Sequence, residues 1–111
     1  IASGAAYTGV PRMPYVTSKG AMLAFTRSLS RDLGEYGIAV NSLSPGYILS
    51  DTGLENATHV EEERVPVRNS RAFKRDAYPE DLLGALVFLA SSDSDFVTGQ
   101  SLVVDGGSVN N

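Results

Sequence analysis

Hydrophobic and polar positions along the chain change their period several times. Residues 1–3, Ile-Ala-Ser, read as the end of a β-strand, and residues 4–14 are rich in Gly, Ala and Pro and read as a loop. From residue 15 to about residue 36 the pattern is helical. Met22, Phe25, Leu29 and Leu33 recur at spacings of three and four and form one apolar stripe. Gly37 follows as a C-terminal stop. Residues 38–43 alternate as a short strand, which Ser44, Pro45 and Gly46 break. Residues 47–78 lack a sustained period. A connection of that length carries helical turns of its own and often covers a site as a lid. Pro79, Glu80 and Asp81 start a second helix: proline suits the first helical position, and the carboxylates suit the positive end of the helix dipole. Leu82, Leu83, Leu86, Val87, Phe88 and Leu89 make that helix apolar around most of its circumference, so it should be heavily buried. Ser101, Leu102, Val103 and Val104 read as a buried parallel strand, ended by Asp105, Gly106 and Gly107.

Strand end, helix, strand, long connection, helix, strand is the alternation of a parallel α/β protein. Two or three parallel strands leave an open edge. That edge, and an Ile at position 1, suggest a piece of something longer. Composition narrows the classes of function. The chain has 111 residues, 42% of them hydrophobic, which suits one packed domain rather than a disordered chain. A net charge of −4 argues against a nucleic-acid partner. No apolar run is long enough to span a membrane, and no signal peptide is evident, so a cytoplasmic location is expected. The absence of Cys excludes disulfides and Cys-ligated zinc. The single histidine, His59, reads as a solvent-facing loop residue, so no metal site is expected. Glu61, Glu62 and Glu63 read as a solvated helix start or loop face.

Tyr15 and Lys19 are one helical turn apart on one face. Free tyrosine and lysine titrate near ~10 and ~10.4. An ammonium held beside a phenol favours phenolate, and a tyrosine so tuned can exchange a proton near neutral pH. Ser3 lies upstream at a strand end, and strand ends of parallel sheets are where ligands bind. Asn41 to Gly46 closes the next strand at the same edge, and the stretch from Thr98 to Gly107 closes the last.

In this order the pieces resemble the short-chain dehydrogenase/reductase family over essentially all 111 residues, as the C-terminal half of a member. The resemblance implies the C-terminal part of a Rossmann-like parallel sheet flanked by helices, within a single NAD(P)-binding domain whose phosphate-binding half is absent from residues 1–111. It implies an NAD(P)-dependent oxidoreductase that interconverts a secondary alcohol and a ketone, with NAD or NADP as cofactor. Tyr15 would be the general acid/base, Lys19 would tune it and hydrogen-bond the nicotinamide ribose, and Ser3 would hold the substrate oxygen. Pro45 and Gly46 carry the family's turn. Ile48 would meet the nicotinamide carboxamide through its backbone, and Ser50 stands where a cofactor-bonding threonine is common. Tyr47 either lines the substrate pocket or packs beside it. Ser3 precedes Tyr15 by one residue fewer than is common in the family, which a shortened loop between Gly9 and Tyr15 explains. Family members assemble through the Tyr/Lys helix and through the last helix and strand, so a homo-oligomer, dimer or tetramer, is expected. The alternative is a catalytically inactive fragment that acts only as an oligomerisation module.

Overall fold

A computed structural model describes residues 1–55 and 60–109; His59 lies outside them. The fold is α/β, with a parallel sheet flanked by helices. Strand β1 (Ser42–Pro45) pairs in parallel with β2 (Ser101–Val104), in the register Ser42 to Ser101 through Pro45 to Val104. Residues 1–4 run along the other side of β1. The Ala2 N–H donates to the Leu43 carbonyl and the Gly4 N–H to the Pro45 carbonyl, each at 2.8 Å. The first segment therefore follows β1 as an incomplete third strand. Pro45 is tolerated within β1 because it is the last residue of the strand, and the ladder to β2 continues through the Gly46 N–H, which donates to the Val104 carbonyl at 3.0 Å.

Several expected boundaries move. The first loop contains a short helix, α1 (Ala5–Thr8), ended by Gly9 at φ 66°. The long helix α2 (Met13–Leu33) starts before Tyr15, with Pro14 in its first turn. It ends at Leu33, and a 3₁₀ turn (Gly34–Tyr36) carries the chain to Gly37 at φ 71°, the left-handed stop expected there. The strand expected at residues 38–43 is shifted to Ser42–Pro45, where its partner β2 lies. Among the described residues of 47–78 are the helices α3 (Asp51–Glu55) and α4 (Glu61–Ser70). Pro79 does open a helical segment, as a 3₁₀ turn (Pro79–Leu82) leading into α5 (Leu83–Leu89).

The burial expected of the second helix is not observed. No residue of α5 is buried, and Leu83, Leu86, Val87 and Phe88 are exposed. Apolar character around a helix reports the neighbours it can take, and within these 111 residues α5 has few. On α2 the buried residues are Leu23, Thr26 and Ser30, whereas Met22 and Phe25 of the apolar stripe face outward. All four residues of β2 are half-buried rather than buried. The apolar core is small: Ala2, Leu23, Leu43, Leu49 and Ala77. Two polar side chains tie β1 to the β2 segment, while the buried Ser42 hydroxyl has no partner among the described residues. Ser44, fully buried, hydrogen-bonds Ser101 at 2.9 Å, and Asn41 ties the entrance of β1 to Val97 and Gln100.

Candidate active site

Three chain segments end at one edge of the sheet: residues 3–4, Pro45 and Gly46, and Val104 and Asp105. Backbones approach closely there. A Cβ added to Gly46 would stand 2.6 Å from Asp105 Cβ and 3.0 Å from its Cα, so only glycine fits without displacing the end of β2. Asp105, itself buried, accepts hydrogen bonds from the N–H groups of Gly107, Ser108 and Val109, which fixes the turn that leaves β2.

Ser3 is buried at this edge. Its Oγ accepts the Ala5 N–H at 3.2 Å, so the hydroxyl proton remains available for donation. Tyr15 and Lys19 lie in the first two turns of α2. The Lys19 ammonium sits 5.7 Å from the centroid of the Tyr15 ring and donates to the Ile1 carbonyl at 3.2 Å. That bond ties the helix to the first strand segment and leaves two ammonium protons for other acceptors. Tyr15 is 44% exposed. Ser18 caps it from below, its hydroxyl donating to the Tyr15 carbonyl at 2.7 Å. The structure thus brings Tyr15 and Lys19 together and ties Lys19 to the segment that ends in Ser3. No hydrogen bond joins Ser3 to Tyr15 among the described residues.

Beyond the turn, Ile48 pairs with Ala77 in a short parallel bridge, and the Leu49 N–H donates to the Ala77 carbonyl at 2.8 Å. Among the described residues, the Ile48 N–H meets no protein acceptor. Ser50 caps α3, its Oγ accepting the Gly53 N–H at 3.1 Å. The Tyr47 phenol is bonded to Glu63, and burial together with the Glu63 carboxylate raises its pKa above the usual value.

Sequence reasoning missed the groups that hold this region in place. Arg71 is 2% exposed and donates to the Tyr47 carbonyl at 2.5 Å and to the Arg75 carbonyl at 2.7 Å. Asp76 accepts hydrogen bonds from Arg64 at 2.6 Å and Arg68 at 3.0 Å, which hold its carboxyl below the usual range. Glu61 pairs with Arg68 and Arg64 on the exposed side of α4. Arg64 and Arg68 are four apart on one helical face and were the available signal. Nothing local in the sequence marks Arg71 as buried. A cavity of about 450 Å³ lies between residues 71–77 and the end of β2, and neither Ser3, Tyr15 nor Lys19 lines it.

A family model described as enoyl-(acyl carrier protein) reductase matches residues 1–109. L-rhamnose 1-dehydrogenase (NADP(+)) of Thermoplasma acidophilum is 41% identical over 93 residues, covering 84% of this chain and 36% of that protein. A glucose/ribitol dehydrogenase of the short-chain type from Brucella melitensis superposes with a TM-score of 0.86 at 33% identity, over 99% of this chain and 44% of that one. A 3-oxoacyl-[acyl-carrier protein] reductase with bound NAD, also from Brucella melitensis, gives 0.84 at 28% identity, over 98% of this chain and 39% of that one. This chain belongs to the short-chain dehydrogenase/reductase family. It spans between 36% and 44% of the length of these relatives.

Proposed function

We propose that the 111 residues are the C-terminal half of a single NAD(P)-binding domain in an oxidoreductase that interconverts a secondary alcohol and a ketone. The observation that carries the reading is the Lys19 ammonium placed 5.7 Å from the Tyr15 ring and anchored on the Ile1 carbonyl, two residues from Ser3. In the oxidative direction the Tyr15 oxygen removes the hydroxyl proton of the substrate. The free protons of the Lys19 ammonium suit a ribose hydroxyl. Ser3 donates its hydroxyl proton to the substrate oxygen while the Ala5 N–H holds its own oxygen in place.

The residues present fit the nicotinamide end of a dinucleotide. Gly46 brings two backbones together where a Cβ would intrude, and the Ile48 N–H beside it is unused by the protein among the described residues. Pro45, Gly46, Ile48 and Ser50 would hold that end, with Tyr15 and Lys19 on the ribose. When bound, NAD or NADP supplies the hydride acceptor or donor. The sequence contains no glycine-rich loop for the pyrophosphate. Tyr47 lines the substrate side. The exposed Met22 and Phe25 of α2 support association with further copies of the chain.

Tyr15→Phe in the full-length protein tests the reading. Turnover should fall by the ~10²–10⁴-fold range of a general acid–base group, with little change in dinucleotide affinity measured by fluorescence titration. A variant that keeps more than about a tenth of the wild-type kcat would overturn Tyr15 as the proton carrier.

A further inference from the structure

We propose that Arg71 is a positioning residue that sets the Tyr47–Ile48 peptide so that the Ile48 N–H faces the nicotinamide. The inference rests on the oxidoreductase reading above. Arg71 is 2% exposed, yet its guanidinium forms no ion pair with any described residue. Burying such a charge is costly unless hydrogen bonds compensate it. Two backbone carbonyls do so. One Nη donates to the Arg75 carbonyl at 2.7 Å and the other to the Tyr47 carbonyl at 2.5 Å. The planar guanidinium therefore spans two chain segments, the turn after β1 and the segment before the Pro79 turn, in a fixed fork geometry.

The consequence follows from the peptide bond. A trans peptide is planar, and its C=O and N–H point in opposite directions. The carbonyl of Tyr47 and the N–H of Ile48 belong to one such plane, and no peptide bond among the described residues is cis. When Arg71 pulls the Tyr47 carbonyl inward, the Ile48 N–H must point the other way. That N–H has no acceptor among the described residues, whereas the neighbouring Leu49 N–H is spent on Ala77. A donor so oriented suits a carboxamide oxygen. Without Arg71 the Tyr47 carbonyl loses that partner, and the Ile48 N–H loses its fixed direction.

The test compares two ligands that differ only beyond the pyrophosphate. The full-length wild-type protein, Arg71→Met and Arg71→Lys are titrated with the preferred dinucleotide and with ADP-ribose, which lacks nicotinamide. Arg71→Met should weaken the dinucleotide about tenfold, the scale of one hydrogen bond, and leave ADP-ribose unchanged. Lysine can reach one carbonyl but not both, so Arg71→Lys should weaken the dinucleotide alone, by less. If Arg71→Met does not fold, the same ratio in Arg71→Lys decides. An unchanged dinucleotide to ADP-ribose ratio in the folded variants, or an equal loss for both ligands, overturns the positioning role and leaves the oxidoreductase reading standing. Failure of the wild-type protein to bind either ligand overturns both.

Discussion

Ser3 shows how one side chain can serve the fold and the chemistry at once. Its oxygen accepts the Ala5 N–H at the start of α1, and its proton remains free for donation, in the proposed reading to the substrate. Ser3→Ala therefore removes two things. Loss of the hydrogen bond at the start of a helix costs about 0.5–2 kcal/mol of stability. Loss of the donor to the reacting oxygen should lower kcat/KM by more than about tenfold, on the order of one transition-state hydrogen bond. Kinetics at a temperature where the variant remains folded separate the two. A variant with wild-type kcat/KM would mean that another group holds the substrate oxygen and that Ser3 only holds the Ala5 N–H.

Helix α4 is held to the rest of the molecule by charge rather than by a buried apolar face, since none of its residues is buried. Asp76, with its side chain 13% exposed, joins Arg64 and Arg68. Asp76→Asn removes the charge and should destabilise the protein by about 1.5–3 kcal/mol, the range of hydrogen bonds to charged groups. The pH dependence has a definite sign. The Arg64 and Arg68 guanidiniums depress the Asp76 carboxyl below its ordinary 3.8. Its contribution is therefore complete above that value and is lost as pH falls through the folded pKa. The difference in unfolding temperature between wild type and Asp76→Asn should be constant near neutral pH and shrink below about pH 4. A difference that grows on acidification would exclude the ion pair as its source. Elements such as α4 also show where sequence reading stopped. The α2 helix, its stop at Gly37, β2 and the turn at Gly46 were legible, because each is set by a local period or by a residue with one steric role. Helix α1 was not legible, and within residues 47–78 helical turns and a helix start at Glu61 were expected only in outline, because α1, α3 and α4 are short and held by capping or by partners distant in sequence. Ser50 bonds Gly53 within α3, and Asp76 reaches back to Arg64 and Arg68. At the candidate site, Ser3, Tyr15 and Lys19 were proposed from type, spacing and the family resemblance. Arg71 was not, because a buried arginine bonded to two carbonyls has no signature in sequence.

At the scale of the molecule, the apolar surface exceeds what the chain can cover. The radius of gyration is 15.1 Å, against ~13 Å for a compact domain of this length. Leu83, Leu86, Val87 and Phe88 of α5 stand exposed beside Met13, Met22 and Phe25 of α2, while the large buried apolar side chains are Leu23, Leu43 and Leu49. The two named strands form the whole sheet among the described residues, with residues 1–4 pairing only in part. A core of that size leaves stability marginal, and the open edge and bare helix faces invite self-association. Affinity for a dinucleotide is expected to be poor for a separate reason. The proposed proton-transfer residues and nicotinamide-side turn are present, but these residues contain no glycine-rich loop to cradle a pyrophosphate, where much of the binding energy would come from. The 111-residue chain alone should therefore sediment as a self-associated species, turn over no alcohol or ketone, and show no binding of NAD or NADP in calorimetry at micromolar concentrations. Micromolar binding of either dinucleotide would mean that the nicotinamide-side residues supply enough affinity by themselves and that the pyrophosphate cradle is not where the affinity resides.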